Sequence, residues 1–200
     1  RGSGYEPEGE VVFDGKIIDP LNHPELLFSG KIAAFCANAR LYFLEETGAW
    51  KITGDPTEAA MLVLSEKIGF RHDRLERETP KIFELPFDYQ KKYHATIRVF
   101  DGKNFLTIVG APEKVLGFCN NIWHKDGIEE LNKEKKKELE LVFHKLAQNG
   151  FRVVAYAINS DTGRSVNSDM MPPLTFVGFF GMSDALRPEV KEAMQRVRAA

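Results

Sequence analysis

The chain has 200 residues, 43% of them hydrophobic and 28% charged, with a formal net charge of -2. That suits one well-cored globular domain, or one domain plus part of another, burying roughly 70% of its unfolded surface. It excludes a strongly basic nucleic-acid surface, and no apolar run reaches the length of a membrane span or forms a secretory leader.

In chain order, the opening "RGSGYEPEGEVVFDGK" reads as a loop, a short strand around 11–13 and an Asp14-Gly15 turn. Pro24 opens a helix, "PELLFSGKIAAFCANA", that is apolar or small on most sides and is therefore expected to be mostly buried. "RLYFLEETGAWKIT" reads as a hairpin turning near Thr47-Gly48. In "TGDPTEAAML" Asp55 is the N-cap, Pro56 the first helical residue, and Glu58 closes a capping box by folding back onto the Asp55 N–H. Met61, Leu64 and Ile68 share a face of that helix, and Gly69 ends it.

"RHDRLERETP" reads as a solvated loop. "KIFELPF" and "YHATIRVF" read as strands, and Asp101-Gly102 turns the chain into a third, "NFLTIVG". Pro112 opens a short helix, "APEKVLGFCN". A long amphipathic helix is expected over 128–149, with "KEKKKELE" on its solvated side and Gly150 as its stop. "FRVVAYAI" and "LTFVGFFGM" are expected as buried strands, and a last helix restarts at Pro188. The pattern predicts an α+β fold, an antiparallel twisted β-sheet flanked by helices on both sides.

Cys36 and Cys119 lie in apolar, helix-like surroundings, so buried free thiols are expected rather than a disulfide, as in a reducing compartment. There is no zinc spacing, P-loop lysine motif or dinucleotide fingerprint.

Five collinear stretches, "GDPTEAAM", "LPFDYQKK", "GAPEKVL", "FRVVAYA" and "DALRPEV", together with "GYEPEGEV" near the start, resemble the nucleotide-binding (N) domain of a P-type cation-transporting ATPase. The similarity runs over almost the whole chain and points to the calcium-pump-like second type. Each motif alone is weak, and their order and spacing carry the resemblance. It implies an N domain over 1–183, then a hinge at Asp184 and Arg187 and the start of a phosphorylation domain over 184–200. It also implies an ATP site, with Mg²⁺ arriving on the nucleotide, and partners in the phosphorylation and actuator domains of a parent pump. The domain would be a cytoplasmic part of a membrane protein, monomeric in isolation and without nucleic-acid or direct membrane contact.

By the same resemblance Glu58 lies near the adenine amino group, Phe87 stacks on the base, and Lys92 and Arg152 serve the nucleotide, Arg152 at its phosphates. Gly110 and Ala111 are the small residues that let adenine approach the backbone, and Tyr93 and His94 line the site. The residue types suit the ligand: an aromatic ring for a flat base, a carboxylate for an exocyclic amine, cations for phosphates.

No catalytic residue is expected on the chain. The family's Asp-Lys-Thr-Gly-Thr and Thr-Gly-Glu-Ser motifs do not occur in it, so it is expected to bind ATP without hydrolysing it. One departure stands out: the family's Lys-Gly-Ala-Pro-Glu reads Val109-Gly110-Ala111-Pro112-Glu113 here, with Lys91, Lys103 and Lys114 as candidate substitutes for the missing cation. The alternative reading is a segment that keeps the fold but binds nucleotide weakly or not at all, serving as an interaction or spacer module.

Overall fold

The computed structural model describes residues 4–183 and 188–199. The hinge residues expected at 184 and 187 lie outside that range.

The chain starts with a small hairpin of β1 (Val11–Phe13) and β2 (Lys16–Ile18), then α1 (Pro24–Cys36) and a second hairpin of β3 (Arg40–Leu44) and β4 (Ala49–Thr53). Helices α2 (Pro56–Lys67) and α3 (His72–Glu78) lead into the central strands β5 (Lys81–Asp88), β6 (Tyr93–Phe100) and β7 (Lys103–Gly110). After α4 (Pro112–Phe118) come β8 (Cys119–His124), β9 (Gly127–Glu130) and α5 (Lys133–Gln148). Strands β10 (Arg152–Asn159) and β11 (Leu174–Met182) and helix α6 (Pro188–Ala199) complete it.

Seven strands form the main sheet in the order β5-β6-β7-β10-β11-β8-β9. Every neighbouring pair is antiparallel except β11 with β8. The α+β expectation therefore holds, but the sheet is mixed. The parallel pair arises because α4 carries the chain from the end of β7 across to the far side of β11. The Asp14-Gly15 and Asp101-Gly102 turns hold both residues at positive φ, the conformation a two-residue hairpin of matching twist requires.

Both faces of the sheet are covered, and side chains alternate between them. On β6, Tyr93, Ala95 and Ile97 join Leu106, Ile108, Ala155 and Phe176 in a core closed by α4 and α5. The other face carries Phe105, Val109, Tyr156 and Ile158 beneath Ile32, Phe35 and Cys36 of α1 and Met61 of α2.

Three sequence expectations change. The charged stretch 72–78 is a helix, α3, not a loop. It has no buried residue, but Arg74 pairs with Glu78 at 2.7 Å and Thr79 closes its end on the Leu75 carbonyl. The helix expected from 128 starts at Lys133, where Asn132 caps the Lys135 N–H at 2.9 Å, and Gly127–Glu130 instead pairs with β8 as an edge strand. Cys119 is the first residue of β8 rather than helical. Both thiols are free and buried, and burial pushes each up to about 12.

Candidate functional site

Strand register gathers the expected residues from four separate segments. Asp88 pairs with Tyr93, Tyr93 with Gly110, and Gly110 with Ala155, so β5, β6, β7 and β10 present one common sheet end. Phe87 precedes the first member of that row, Lys92 precedes the second, and Ala111 follows the third. Arg152 stands three residues beyond Ala155, about 10 Å along β10. Phe87 is 48% exposed and meets Tyr89 edge-on at 5.4 Å; Arg152 is exposed beside Met182.

The β5–β6 turn is tightly built. Asp88 Oδ1 accepts the Gln90 and Lys91 N–H groups at 2.7 and 2.8 Å, and the Asp88 carbonyl accepts the Lys92 N–H. Those backbone bonds hold the Asp88 carboxyl below its ordinary range. Lys92 takes a left-handed φ of 61°, and its Nζ lies 3.6 Å from Glu113 of α4. The Lys92 carbonyl accepts the Ala111 N–H at 2.8 Å.

Gly110 is small for a reason inside the sheet. A Cβ there would lie 2.4 Å from the Lys92 carbonyl oxygen and 2.5 Å from Tyr93. Its lack of a side chain is thus required by the approach of β6, whatever a ligand needs.

Glu58 is placed by the "TGDPTE" turn. Gly54, at φ +111°, lies against Ala39, where a Cβ would stand 3.0 Å from the Ala39 Cα. That brings the segment after α1 onto the start of α2. Asp55 caps the helix as expected, accepting the Thr57 and Glu58 N–H groups at 2.7 and 3.2 Å. The reciprocal half of the capping box is absent. Glu58 turns inward: its Oε2 accepts the Asn38 N–H at 2.8 Å and its Oε1 lies 3.4 Å from His94 Nδ1. Inside, those partners satisfy a half-buried carboxylate better than one exposed N–H would. Burial raises the Glu58 carboxyl above its ordinary value, with the Asn38 bond opposing. Burial also drives His94 down to about 4, so its imidazole is neutral at neutral pH.

His94 is the residue after Tyr93 on β6, so Glu58 abuts the strand one step from the row that carries Phe87 and Lys92. Asn38 extends the network: its amide donates to Glu84 at 2.9 Å, and Lys81 Nζ reaches both Asn38 Oδ1 and Glu84 at 2.7 Å. Asn38, Lys81 and Glu84 gave no sequence signal, because nothing local in "CANAR" or "KIFEL" announces a contact across the fold.

Val109 pairs with His94 in register and is buried, 3% exposed, in the α1-side core. The candidate substitute cations are differently placed. Lys103 lies at the opposite end of β7, about 23 Å away along the strand. Lys91 is engaged by Ser168 and, at 3.1 Å, by Asp169. Lys114 lies in the first turn of α4 and is exposed. A hollow of about 570 Å³ opens beside α3, lined among others by Arg40, His72, Arg77 and Lys81. It meets the Glu58 network through Asn38 and Lys81 and does not include Phe87, Lys92 or Arg152.

A helix-flanked mixed sheet with this collinear motif set defines a cytoplasmic module of ion-motive ATPases. The family model for "P-type ATPase, cytoplasmic domain N" matches residues 29–189, and the chain belongs to that family. The chain is 30% identical over its whole length to a protein named calcium-transporting ATPase in Bacillus subtilis strain 168, covering 22% of that protein. It is 32% identical over 74% of its length to calcium-transporting ATPase 1 of Bacillus cereus, covering 17%. It is 30% identical over 96% of its length to the cation-transporting ATPase pma1 of a Synechocystis strain, covering 22%. It spans about a fifth of the length of such relatives. Among the described residues no helix is long and apolar enough to cross a membrane.

Proposed function

We propose that this domain binds ATP at the shared end of β5, β6, β7 and β10 and positions it for phosphoryl transfer to an aspartate in another domain of a calcium-pump-like ATPase. The observation that supports the reading is the Asp88–Tyr93–Gly110–Ala155 row, to which Phe87 and Lys92 are chain neighbours and from which Arg152 stands three residues further along β10. Phe87 offers an exposed ring on which adenine stacks. Glu58 keeps an unused lone pair for the exocyclic amine. Lys92 and Arg152 supply the positive charge that phosphates require.

The chain's contribution is proximity: it holds the nucleotide while the nucleophile and the rest of the electrostatics come from elsewhere. Among the described residues no group of three or more His, Cys, Asp or Glu side chains is placed to hold a metal ion. Mg²⁺ would therefore enter on the phosphates.

Amide chemical-shift mapping with Mg-ATP, ADP and AMP tests the reading. The largest shifts are expected at Phe87, Lys92, Gly110 and Arg152, with no phosphate release. With valine at 109 the three affinities should fall close together, because adenine contributes most of the binding. Shifts confined to the hollow between Arg40 and Arg77, or none at all, would overturn the assignment.

A further inference from the structure

We infer that His94 is a positioning residue for base recognition: its Nδ1–H fixes Glu58 Oε1, turning the remaining lone pair of the carboxylate toward an exocyclic amine. The inference rests on the proposed ATP site and adds to it the source of its preference for an amino over a keto purine.

The geometry dictates the proton's place. Nδ1 lies 3.4 Å from Glu58 Oε1, and Nε2 is buried without a hydrogen-bond partner. A neutral imidazole carries one N–H. A proton on Nε2 would bury a donor with no acceptor and set the Nδ1 lone pair against a carboxylate oxygen. A proton on Nδ1 satisfies Glu58 and leaves only a bare lone pair in the interior.

The surroundings offer the ring no better partner. Val109, its cross-strand neighbour, is apolar and buried. Lys81 is held by Asn38 and Glu84, and Asp55 by the first turn of α2. His94 itself is 5% exposed and cannot swing outward without leaving the core.

Glu58 Oε2 accepts the Asn38 N–H, the Ala39 N–H also bonds the carboxylate, and Oε1 faces His94 Nδ1. A carboxylate has about four acceptor directions, and with these three neighbours about one stays free. Its side chain is 14% exposed, so the free direction opens only toward that small exposed side. A fixed, acceptor-only group favours adenine, whose 6-position carries an amine, and repels a 6-keto purine.

The test uses the purified chain. Imidazole ¹⁵N shifts of the ligand-free protein should report the Nδ1–H tautomer of His94; the Nε2–H tautomer would overturn the inference before any variant is made. ATP and inosine triphosphate, which carries a keto oxygen in place of the amine, are then titrated into wild type, His94→Leu and His94→Asn. Wild type should prefer ATP. His94→Leu should weaken ATP about tenfold and the inosine nucleotide less than about twofold, while His94→Asn, whose amide can occupy the Nδ1 position, should restore ATP to within about twofold. Equal loss of both nucleotides, or no loss, would make His94 merely structural and overturn the inference. A wild type that does not distinguish the two nucleotides removes the adenine reading itself, and that failure is visible without the variants.

Discussion

Two polar sites lie on the same face of β6, four residues apart, and the fold treats them differently. Arg98 is 1% exposed and each guanidinium nitrogen is engaged: Nε donates to the Phe35 carbonyl at 3.1 Å, one terminal nitrogen to the Thr79 carbonyl at 2.9 Å, and the other to Glu76. His94 is almost as deeply buried, yet one ring nitrogen has no partner, and the carboxylate it faces keeps free acceptor capacity. Arg98 ties α1, α3 and β6 together and leaves nothing for a ligand. The His94–Glu58 pair is held more loosely, by a 3.4 Å approach, and is incompletely satisfied, which is the condition the proposed recognition role needs.

The comparison breaks most visibly at Arg98. Arg98→Met should cost about 3 kcal/mol, because it removes two buried charge-assisted bonds, leaving the Thr79 carbonyl without the guanidinium and the Phe35 carbonyl with Thr96 alone, while Glu76, 41% exposed, turns to water. Burial raises the Glu76 carboxyl, but the Arg98 hydrogen bond and charge outweigh it and leave it low. Urea unfolding measures the loss; a cost below about 1 kcal/mol would mean the saturated site is not the stronger tie.

Acid should find His94 next. Its folded value of about 4 lies below the unfolded value near 6.5, so the unfolded chain takes up the proton first. Stability from this group is complete above pH 6.5 and falls as pH drops toward 4, by up to about 3 kcal/mol. Glu58, shifted upward, opposes the trend at the acid end. Unfolding midpoints between pH 7 and 4 should drop in wild type and flatten in His94→Asn. An unchanged pH profile in that variant would place the titration elsewhere.

A smaller loss is expected at Gly110→Ala, about 1–3 kcal/mol, since the new methyl meets backbone at 2.4 Å rather than a yielding side chain. Thermal unfolding reads it directly, and an unperturbed midpoint would show that the β6–β7 approach tolerates a side chain. The smallest effect on stability belongs to Phe87→Ala, within about 0.5 kcal/mol because the ring is half exposed. ATP affinity should nevertheless fall about tenfold with it, as the loss of one base-stacking ring implies. Calorimetric titration separates the two effects; unchanged affinity would move the base away from β5.

What the sequence made legible was local. The Asp14-Gly15 and Asp101-Gly102 turns, the Asp55 cap with Pro56, and the helix opened by Pro24 all follow from chemistry within a few residues. The polar alternation His94, Thr96, Arg98 carries no local sign of what covers it. Its true cover is α1, whose Phe35 carbonyl receives both Thr96 and Arg98. The charged α3 gave no helix signal because its stability comes from outside, through Glu76 and Arg98. Edge strand β9 was hidden inside a longer helical periodicity. The inward turn of Glu58 depends on Asn38, twenty residues away in the chain. The gathering of Phe87, Lys92, Gly110 and Arg152 was implied by resemblance alone, since only strand register brings such distant segments together.

The hydrogen bond between Ala111 and Lys92 has a mechanical meaning. Ala111 is the residue from which α4 starts, and Val115 and Leu116 of α4 are buried in the core. The turn that presents Lys92 is thus pinned to the helix beside it, which is itself rooted in the core. A ligand that pulls on that turn pulls on α4 as well, so a displacement at the rim would be felt in the core that Val115 and Leu116 fill.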